Sequence, residues 1–467
     1  MRGIQCRYCR PNLLPPTKGI LFMAGHNRRE FIKTAGIGVA GTVAVDWAAA
    51  QTLAASANER IGVGIIGAGG RAERVAAAFA QRSGCDVVAI CDIDEQHAAA
   101  ISKLVQEAGA SRAPKLFGDL RRVLDDPSID AVAVTTPDHW HAPASILACE
   151  AGKHVYVEKP CSHNLREGRL LVEAARRNKC VVQHGTQSRS TAFIANGIQM
   201  LRDGVIGDVL AAKAWNVQRR DSIGHAQPGS PPSHVDYDTW IGPAPFVPFQ
   251  ENRFHRNWRW WHEFGTGDAG NDGVHELDYA RWGLGVETQP TRISSIGGKF
   301  FFDDDQQFPD TQQVAYEYPG DGTVGNKRML IFELRIWSPN YPYNVDNGTE
   351  FYGTKGRLML TKRGKLELFD DKNRRLNVLR EKISNDDATA IHEDDFLTAI
   401  RTGSTPNAEI EVGHLSTSLA HLANISVRVG RTLQFDPVNE RVLGDAEANR
   451  MLSRNYREGH WSVPAGV

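Results

Sequence analysis

The sequence predicts an α/β protein: a doubly wound parallel sheet, followed by an α+β domain built on a large, open, mainly antiparallel sheet. Three observations predict it. An apolar run, Ile61–Ile66, passes directly into a glycine-rich turn and a helical stretch. Strand-like and helix-like segments then alternate as far as Gln183. Beyond Gly185 the texture changes to β-branched and aromatic runs punctuated by turns.

Each element has a local reason. Ile61-Gly62-Val63-Gly64-Ile65-Ile66 has the continuous apolarity of a strand buried on both faces. Gly67-Ala68-Gly69-Gly70-Arg71-Ala72 follows, a G-x-G-x-x-A turn of the Rossmann type. Gly67 permits the tight turn, Gly69 lets a pyrophosphate approach, and small Ala72 lets helix and strand pack. The helix N-terminus then faces the phosphates, with Gly70 and Arg71 beside them. A second strand, Asp86 to Cys91, ends in Asp92 about 20 residues beyond Ala72. An acid there accepts from ribose hydroxyls and repels a 2′-phosphate, which favours NAD over NADP.

The strand Ala131–Thr136 leads into Pro137-Asp138-His139-Trp140-His141 and a helix to about Ala151. His154–Val157 ends in Glu158-Lys159-Pro160, followed by a helix over 166–177 and a strand over 180–183. In such a sheet ligands lie outside the carboxyl ends of the strands. Thr136, Pro137, His141, Glu158 and Lys159 fall there and join the predicted cofactor contacts.

In the second half, strands are predicted over 209–217, 291–301, 312–318, 328–337, 349–352, 356–360 and 366–369, and helices over 393–401, 414–429 and 447–457. A stretch over 219–261 rich in Pro, Gly, His and aromatics is expected to form an ordered arm. The predicted domains are 58–185 and 186–467, after a leader over 1–57.

That leader carries Asn27-Arg28-Arg29-Glu30-Phe31-Ile32-Lys33, a weakly apolar run, and Ala55-Ser56-Ala57. It resembles a twin-arginine export signal cleaved before Asn58, which implies a partner in the export machinery and a periplasmic or otherwise exported protein. The competing readings are a basic tail and an uncleaved signal that holds the protein to a membrane. Met23 is a second candidate start, in which case residues 1–22 are not part of the protein.

Composition limits the function. Among 467 residues, 54 Lys+Arg balance 55 Asp+Glu, so the footprint of a nucleic-acid binder is missing. Seven cysteines in this length make no disulfide framework. Cys85, Cys91, Cys149, Cys161 and Cys180 read as buried free thiols, and Cys6 with Cys9 lacks the second pair of a zinc site. His275-Glu276-x-Asp278 is not H-E-x-x-H, so no metal is predicted.

The segment from Ala148 to Pro160, A-C-E-A-G-K-H-V-Y-V-E-K-P, resembles the A-x-x-A-G-K-H-V-x-x-E-K-P signature of the glucose–fructose oxidoreductase/inositol dehydrogenase/MocA (Gfo/Idh/MocA) family. The glycine turn, Asp92 and the T-x-P-x-x-x-H element from Thr135 to His141 stand in family order. The resemblance implies a tightly bound NAD and a sugar, polyol or related cyclic alcohol as substrate. It implies a homo-oligomer, dimer or tetramer, formed through the open sheet. It also implies that Lys159 lies beside the nicotinamide and the reacting hydroxyl.

Gly265 to Asp278 resembles the family's D-x-G-x-H-x-x-D element, which assigns His275 as general acid/base and Asp278 as the trailing acid. Asn271 stands where the family has aspartate, and an amide cannot serve as a carboxylate. Asp272 is adjacent but differs in helical spacing. Gln187, Arg189, Asn271, Asp272 and Trp261 are the candidates on the substrate side.

The function expected is hydride transfer between bound nicotinamide cofactor and a hydroxyl carbon. The alternatives are an NAD-assisted glycosidase working by oxidation and elimination, and a non-catalytic sugar-binding protein. The G-G-x-Y-x-x-H-G type element of such glycosidases has no counterpart in this sequence, and Lys159 with His275 weighs against a mere binder.

Overall fold

Six strands form the first sheet in the order β3-β2-β1-β4-β5-β6. They are β1 (Ile61–Ile66), β2 (Cys85–Cys91), β3 (Lys115–Phe117), β4 (Ala131–Val134), β5 (His154–Val157) and β6 (Val182–His184), in a computed structural model that describes residues 60–321 and 323–467. Every neighbouring pair is parallel. The strand order reverses between β1 and β4, which opens a crevice at their carboxyl ends. Val63, Ile65, Val132 and Val134 have no exposed side-chain surface beyond the strand, as the unbroken apolar runs require. The export signal, Met23 and Cys6–Cys9 lie outside the described residues.

Ten strands form the second sheet. They are β7 (Val209–Asn216), β8 (Arg292–Gly298), β9 (Thr311–Tyr318), β10 (Arg328–Arg335), β11 (Asn347–Gly353), β12 (Gly356–Thr361), β13 (Lys365–Asp370), β14 (Arg375–Arg380), β15 (Leu433–Asp436) and β16 (Arg441–Val442). Their order is β14-β13-β12-β11-β7-β10-β9-β8-β15-β16, and only β7 with β10 runs parallel. Helices Val274–Leu284 and Ile410–Val429 cover one face. Ile296, Met329 and Tyr352 remain exposed.

Some boundaries differ from expectation for identifiable reasons. β8 stops at Gly298 because the Asp310 carboxylate takes the backbone N–H groups of Phe300, Phe301 and Phe302 at 2.8–3.0 Å, removing them from the ladder. The last helix spans only Ala446–Arg450. Beyond it Arg454 pairs with Glu167 at 2.7 Å and the Tyr456 hydroxyl donates to the same carboxylate, ties that favour an irregular path. β3, β14, β15, β16 and helix Ala192–Arg202 were not anticipated; β3 and β14 are largely exposed and carry no alternation to read.

Helix Asn385–Thr402 returns to the first sheet. Its Phe396 packs edge-on against Phe79 at 6.3 Å and Tyr156 at 6.1 Å. The predicted arm is ordered around aromatic packing: Tyr237 stacks on Trp240 at 5.5 Å, and Phe254 and Phe264 close around them. Cys85, Cys91, Cys149, Cys161 and Cys180 are all buried and unpaired. No helix among the described residues is long and apolar enough to cross a membrane.

Candidate active site

A cavity of about 750 Å³ occupies the crevice at the carboxyl ends of β1 and β4 and runs to the second sheet's glycine-rich segment. Its floor is backbone. Gly67 has φ +92°, and a Cβ there would meet the Thr136 nitrogen at 2.7 Å, so the turn admits only glycine. A Cβ at Gly69 or Gly70 would meet nothing within 4 Å, because both face open space at the start of helix Ala72–Ala80. Thr136 Oγ1 also lies here, buried without a partner among the described residues. Open space above a helix N-terminus and an orphaned hydroxyl fit a dinucleotide's pyrophosphate and nicotinamide ends. Gly67, Gly69, Gly70, Thr136 and Pro137 would hold it.

Asp92 lines the cavity, and its carboxylate already accepts from the backbone N–H groups of Ala68 and Asp94. Burial pushes its pKa up despite those bonds. Its remaining lone pairs are what a ribose would use.

Arg71 and Glu158, both predicted cofactor contacts, pair with each other at 2.7 Å and tie the glycine turn to the end of β5. Burial alone would raise the Glu158 carboxyl, but Arg71 and Lys159 outweigh it and hold it below the ordinary range. His141 likewise bridges backbone, with Nδ1 2.6 Å from the Pro160 carbonyl and Nε2 2.8 Å from that of Thr136. These three side chains fix the shape of the loops around the ring position.

Lys159 joins the two halves. Its Nζ donates to the main-chain carbonyl of Asn271. Burial lowers its pKa, against the opposing pull of Glu158, Asp272 and Asp138. Asp138 opens helix Asp138–Glu150 and accepts from the Thr266 hydroxyl at 2.6 Å. Burial pushes its pKa up.

The partner segment departs from simple helical spacing. Ala269–Gly273 forms a π-turn before helix Val274–Leu284, so Asn271 and Asp272 do not face His275 as an unbroken α-helix would present them. Asn271 lines the cavity, donates to Asp268 at 2.7 Å and accepts from Arg259 at 3.2 Å. Asp272 turns instead to Lys362 at 2.6 Å and Arg220 at 3.3 Å, and accepts from the Gln218 amide. Burial opposes its ionisation, yet Lys362, His275 and Arg220 hold it far below the usual carboxylate range.

His275 is buried and is not among the residues that line the cavity, and its Nδ1 is unpartnered among the described residues. Burial first, then Lys362 and Lys159, push its pKa well below 6.5. An ordinary histidine titrates near neutrality; this one is a neutral imidazole there, with a free lone pair but weaker basicity than usual. Next to it, burial pushes Glu276 up to about 8 although Lys362 lies 3.0 Å away.

Four sequence candidates sit elsewhere. Arg189 forms a buried ion pair with Asp278 at 2.8 Å, and Ser416 donates to the same acid, so both residues brace the helix rather than line the cavity. Gln187, with its amide nitrogen on the Gly185 carbonyl, directs its oxygen to Arg71 at 3.3 Å. Trp261 is buried beneath the Arg253 guanidinium at 4.2 Å; Trp140, Trp240 and Trp258 line the cavity instead. Arg220, Arg259 and Lys362 escaped sequence reasoning. None of them falls in a motif, and the fold brings them in.

A six-stranded parallel sheet, a glycine turn at its switch point and a dinucleotide-sized cavity define the class: a nicotinamide-dinucleotide-binding Rossmann protein with a second α+β domain. Residues 61–186 match the family model "Oxidoreductase family, NAD-binding Rossmann fold", and residues 212–324 and 354–463 match the family's "C-terminal alpha/beta domain". The chain belongs to the Gfo/Idh/MocA oxidoreductase family, whose cofactor is NAD.

Among curated proteins it is similar to a glycosyl hydrolase family 109 protein of Shewanella pealeana, 29% identical over 224 residues, which are 42% of this chain and 48% of that protein. An α-N-acetylgalactosaminidase of Shewanella oneidensis is 30% identical over 216 residues, 40% of this chain and 46% of that one. The chain thus spans about half the length of the curated relatives it matches. Among solved structures, levoglucosan dehydrogenase in complex with NADH and levoglucosan superposes with a TM-score of 0.61 at 20% identity, over 80% of this chain and 99% of that one. The WlbA dehydrogenase of Bordetella pertussis, in complex with NADH and UDP-GlcNAcA, gives 0.60 at 18%, over 81% and 99%.

Proposed function

We propose that this chain transfers a hydride between tightly held NAD and a hydroxyl carbon of a sugar, polyol or related cyclic alcohol. The observation that carries the reading is Lys159. Its ammonium, with a pKa lowered by burial, stands where the end of β5 meets the Asn271 carbonyl, at the junction of the two halves. Bound in the crevice, NAD supplies the hydride acceptor. The chain supplies the rest. Lys159 donates a hydrogen bond to the substrate oxygen and stabilises charge as the hydroxyl proton leaves. His275, neutral at pH 7, takes that proton directly or through an intervening water. Lys362 keeps the imidazole neutral and Asp272 ionised. Trp240 and Trp258 offer flat apolar faces to a sugar ring, with Arg259 for its hydroxyls.

The twin-arginine leader supports export. Outside the cytoplasm no free NAD pool replenishes a lost cofactor, so it stays bound and is recycled within the site. The exposed sheet residues Ile296, Met329 and Tyr352 suit a homo-oligomer contact. The test is to identify nucleotide in the purified mature protein and then follow nicotinamide absorbance against a panel of sugars. A protein without nucleotide that cannot be reconstituted with NAD refutes the reading.

A second reading is favoured by the curated relatives named as glycosidases: oxidation at a sugar carbon by NAD, removal of an acidified neighbouring proton, elimination of the aglycone, addition of water to the resulting double bond, and return of the hydride from NADH to the oxidised carbon. His275 is then the base for that proton. Aglycone release from a chromogenic glycoside without net NADH selects this reading over the first.

A further inference from the structure

Among the described residues, one group of side chains away from the chemistry has metal-ligand geometry: Asp94, His97 and His255. Their ligand atoms all lie within 4.8 Å of one another, and Asp94 Oδ2 is 3.0 Å from His255 Nε2. A fourth donor, His234 Nε2, lies 3.7 Å from the same oxygen. Ligands about 2.0–2.1 Å from a tetrahedral zinc stand roughly 3.3 Å from each other, so small side-chain shifts complete the site.

The first ligand is already oriented. Asp94 caps helix Glu95–Glu107, with Oδ1 accepting from the Gln96 and His97 backbone N–H groups at 2.9 and 3.3 Å, which leaves Oδ2 for the histidines. His97 lies in the first turn of that helix, and its ring packs 4.4 Å from that of His255. His255 takes φ +55°, uncommon for a residue with a side chain.

The two pairs of ligands come from different parts of the chain. Asp94 and His97 follow β2 and its terminal Asp92, whereas His234 and His255 belong to the arm. The arm touches the loop that follows β2 here: Asp94 bridges Val235, and the Asp236 N–H donates to the Ile93 carbonyl at 3.0 Å. His97 and His255 line the cofactor cavity at its Asp92 end, where the adenosine ribose belongs.

We propose that Asp94, His97 and His255, joined by His234, bind one first-row divalent cation, zinc above all, and that this ion clasps the arm across the adenosine end of the cofactor cavity. Two or three imidazoles and one carboxylate suit zinc better than magnesium or calcium, which prefer oxygen. The metal site stands apart from the hydride-transfer reading; the retention of nucleotide rests on the cofactor assignment.

The test uses the full mature chain, first stripped of nucleotide and metal. Titration with Zn²⁺ is expected to show one equivalent bound, and Co²⁺ to give the visible absorption of a four-coordinate N/O site. His97→Ala and His255→Asn, the latter tolerant of positive φ, are each expected to weaken Zn²⁺ binding at least tenfold with unchanged thermal midpoints in EDTA. Unmodified protein that binds no Zn²⁺ more tightly than the two variants overturns the site. Reloaded with NAD, it is expected to release nucleotide several-fold more slowly with Zn²⁺ than with EDTA, and the variants to release it at one rate in both. Equal rates for the unmodified protein overturn the clasp, whatever substrate the enzyme takes.

Discussion

The two halves of the active site are built from different materials. The cofactor half is backbone and empty space: Gly67 fits against Thr136, and Gly69 and Gly70 face the open crevice. The half proposed for substrate is polar: Asp268 and Asp272 are paired with Arg220 and Lys362, and Glu276, pushed up to about 8, and a neutral His275 lie among them. A turn packed as tightly as Gly67 tolerates no added atom, whereas a charge cluster tolerates no missing partner. Lys159 belongs to both, since it ends a Rossmann strand and donates to the Asn271 carbonyl.

Substitutions that strike one half and spare the other sharpen this contrast. Removing the joint has the largest effect: Lys159→Ala is expected to cut kcat about 10³-fold, roughly 4 kcal/mol of barrier, with nucleotide still bound after purification. Full activity in that variant moves the chemistry elsewhere. In the charged half, Lys362→Met strands Asp272 and Glu276 in the interior and is expected to destabilise by about 3 kcal/mol, read from denaturant unfolding, with nucleotide content retained. In the backbone half, Gly67→Ala forces a Cβ onto the Thr136 nitrogen at positive φ; a loss of about 2 kcal/mol and of bound nucleotide is expected, seen by mass analysis of the purified protein.

Acid probes the buried imidazoles. Burial lowers the folded pKa of His275 well below 6.5, and those of His184 and His421 to about 3. The unfolded chain therefore binds more protons below pH 6.5. The imidazoles' contribution to stability is full above that pH and falls as pH drops toward the folded values, by up to about 1.4 kcal/mol per pH unit for each group, while Glu276, pushed up to about 8, acts singly in the opposite sense. A flat unfolding midpoint between pH 7 and 5 contradicts this. The smallest effect belongs to Asn271→Asp. The new carboxylate loses the bond to Asp268 but adds negative charge near Lys159, so the pH–rate profile is expected to move upward with less than tenfold change in kcat.

The same contrast explains what was legible in advance. The glycine turn, Asp92 and Glu158-Lys159-Pro160 are contiguous motifs whose spacing is set by strand and helix lengths, so each could be placed from the residues alone. Arg220 and Lys362 follow β7 and β12, each beside an arginine and in no motif, and only the second sheet's register brings them to Asp272. The π-turn at Ala269–Gly273 has no sequence signature, and Asp272 within it meets Lys362 and Arg220, cations far from it in the chain. Arg189 looked like a substrate contact because it follows the last Rossmann strand; its true partner, Asp278, lies one helix away. The metal cluster was invisible for a similar reason, since Asp94-x-x-His97 means little until the arm delivers His255.

Helix Asn385–Thr402 carries a consequence for how the protein is made. Its Phe396 and Leu397 belong to the same apolar core as Ile61, Val63 and Tyr156 of the first sheet. A nascent chain that has emerged only through β6 therefore shows an unfinished apolar face on its Rossmann half, open to water and to chaperones. N-terminal domains commonly fold as they leave the ribosome, but part of this one's core is covered by a segment synthesised long after it. Docking that helix closes the apolar core behind β1 and β5, the strands whose ends lead into the glycine turn and Lys159.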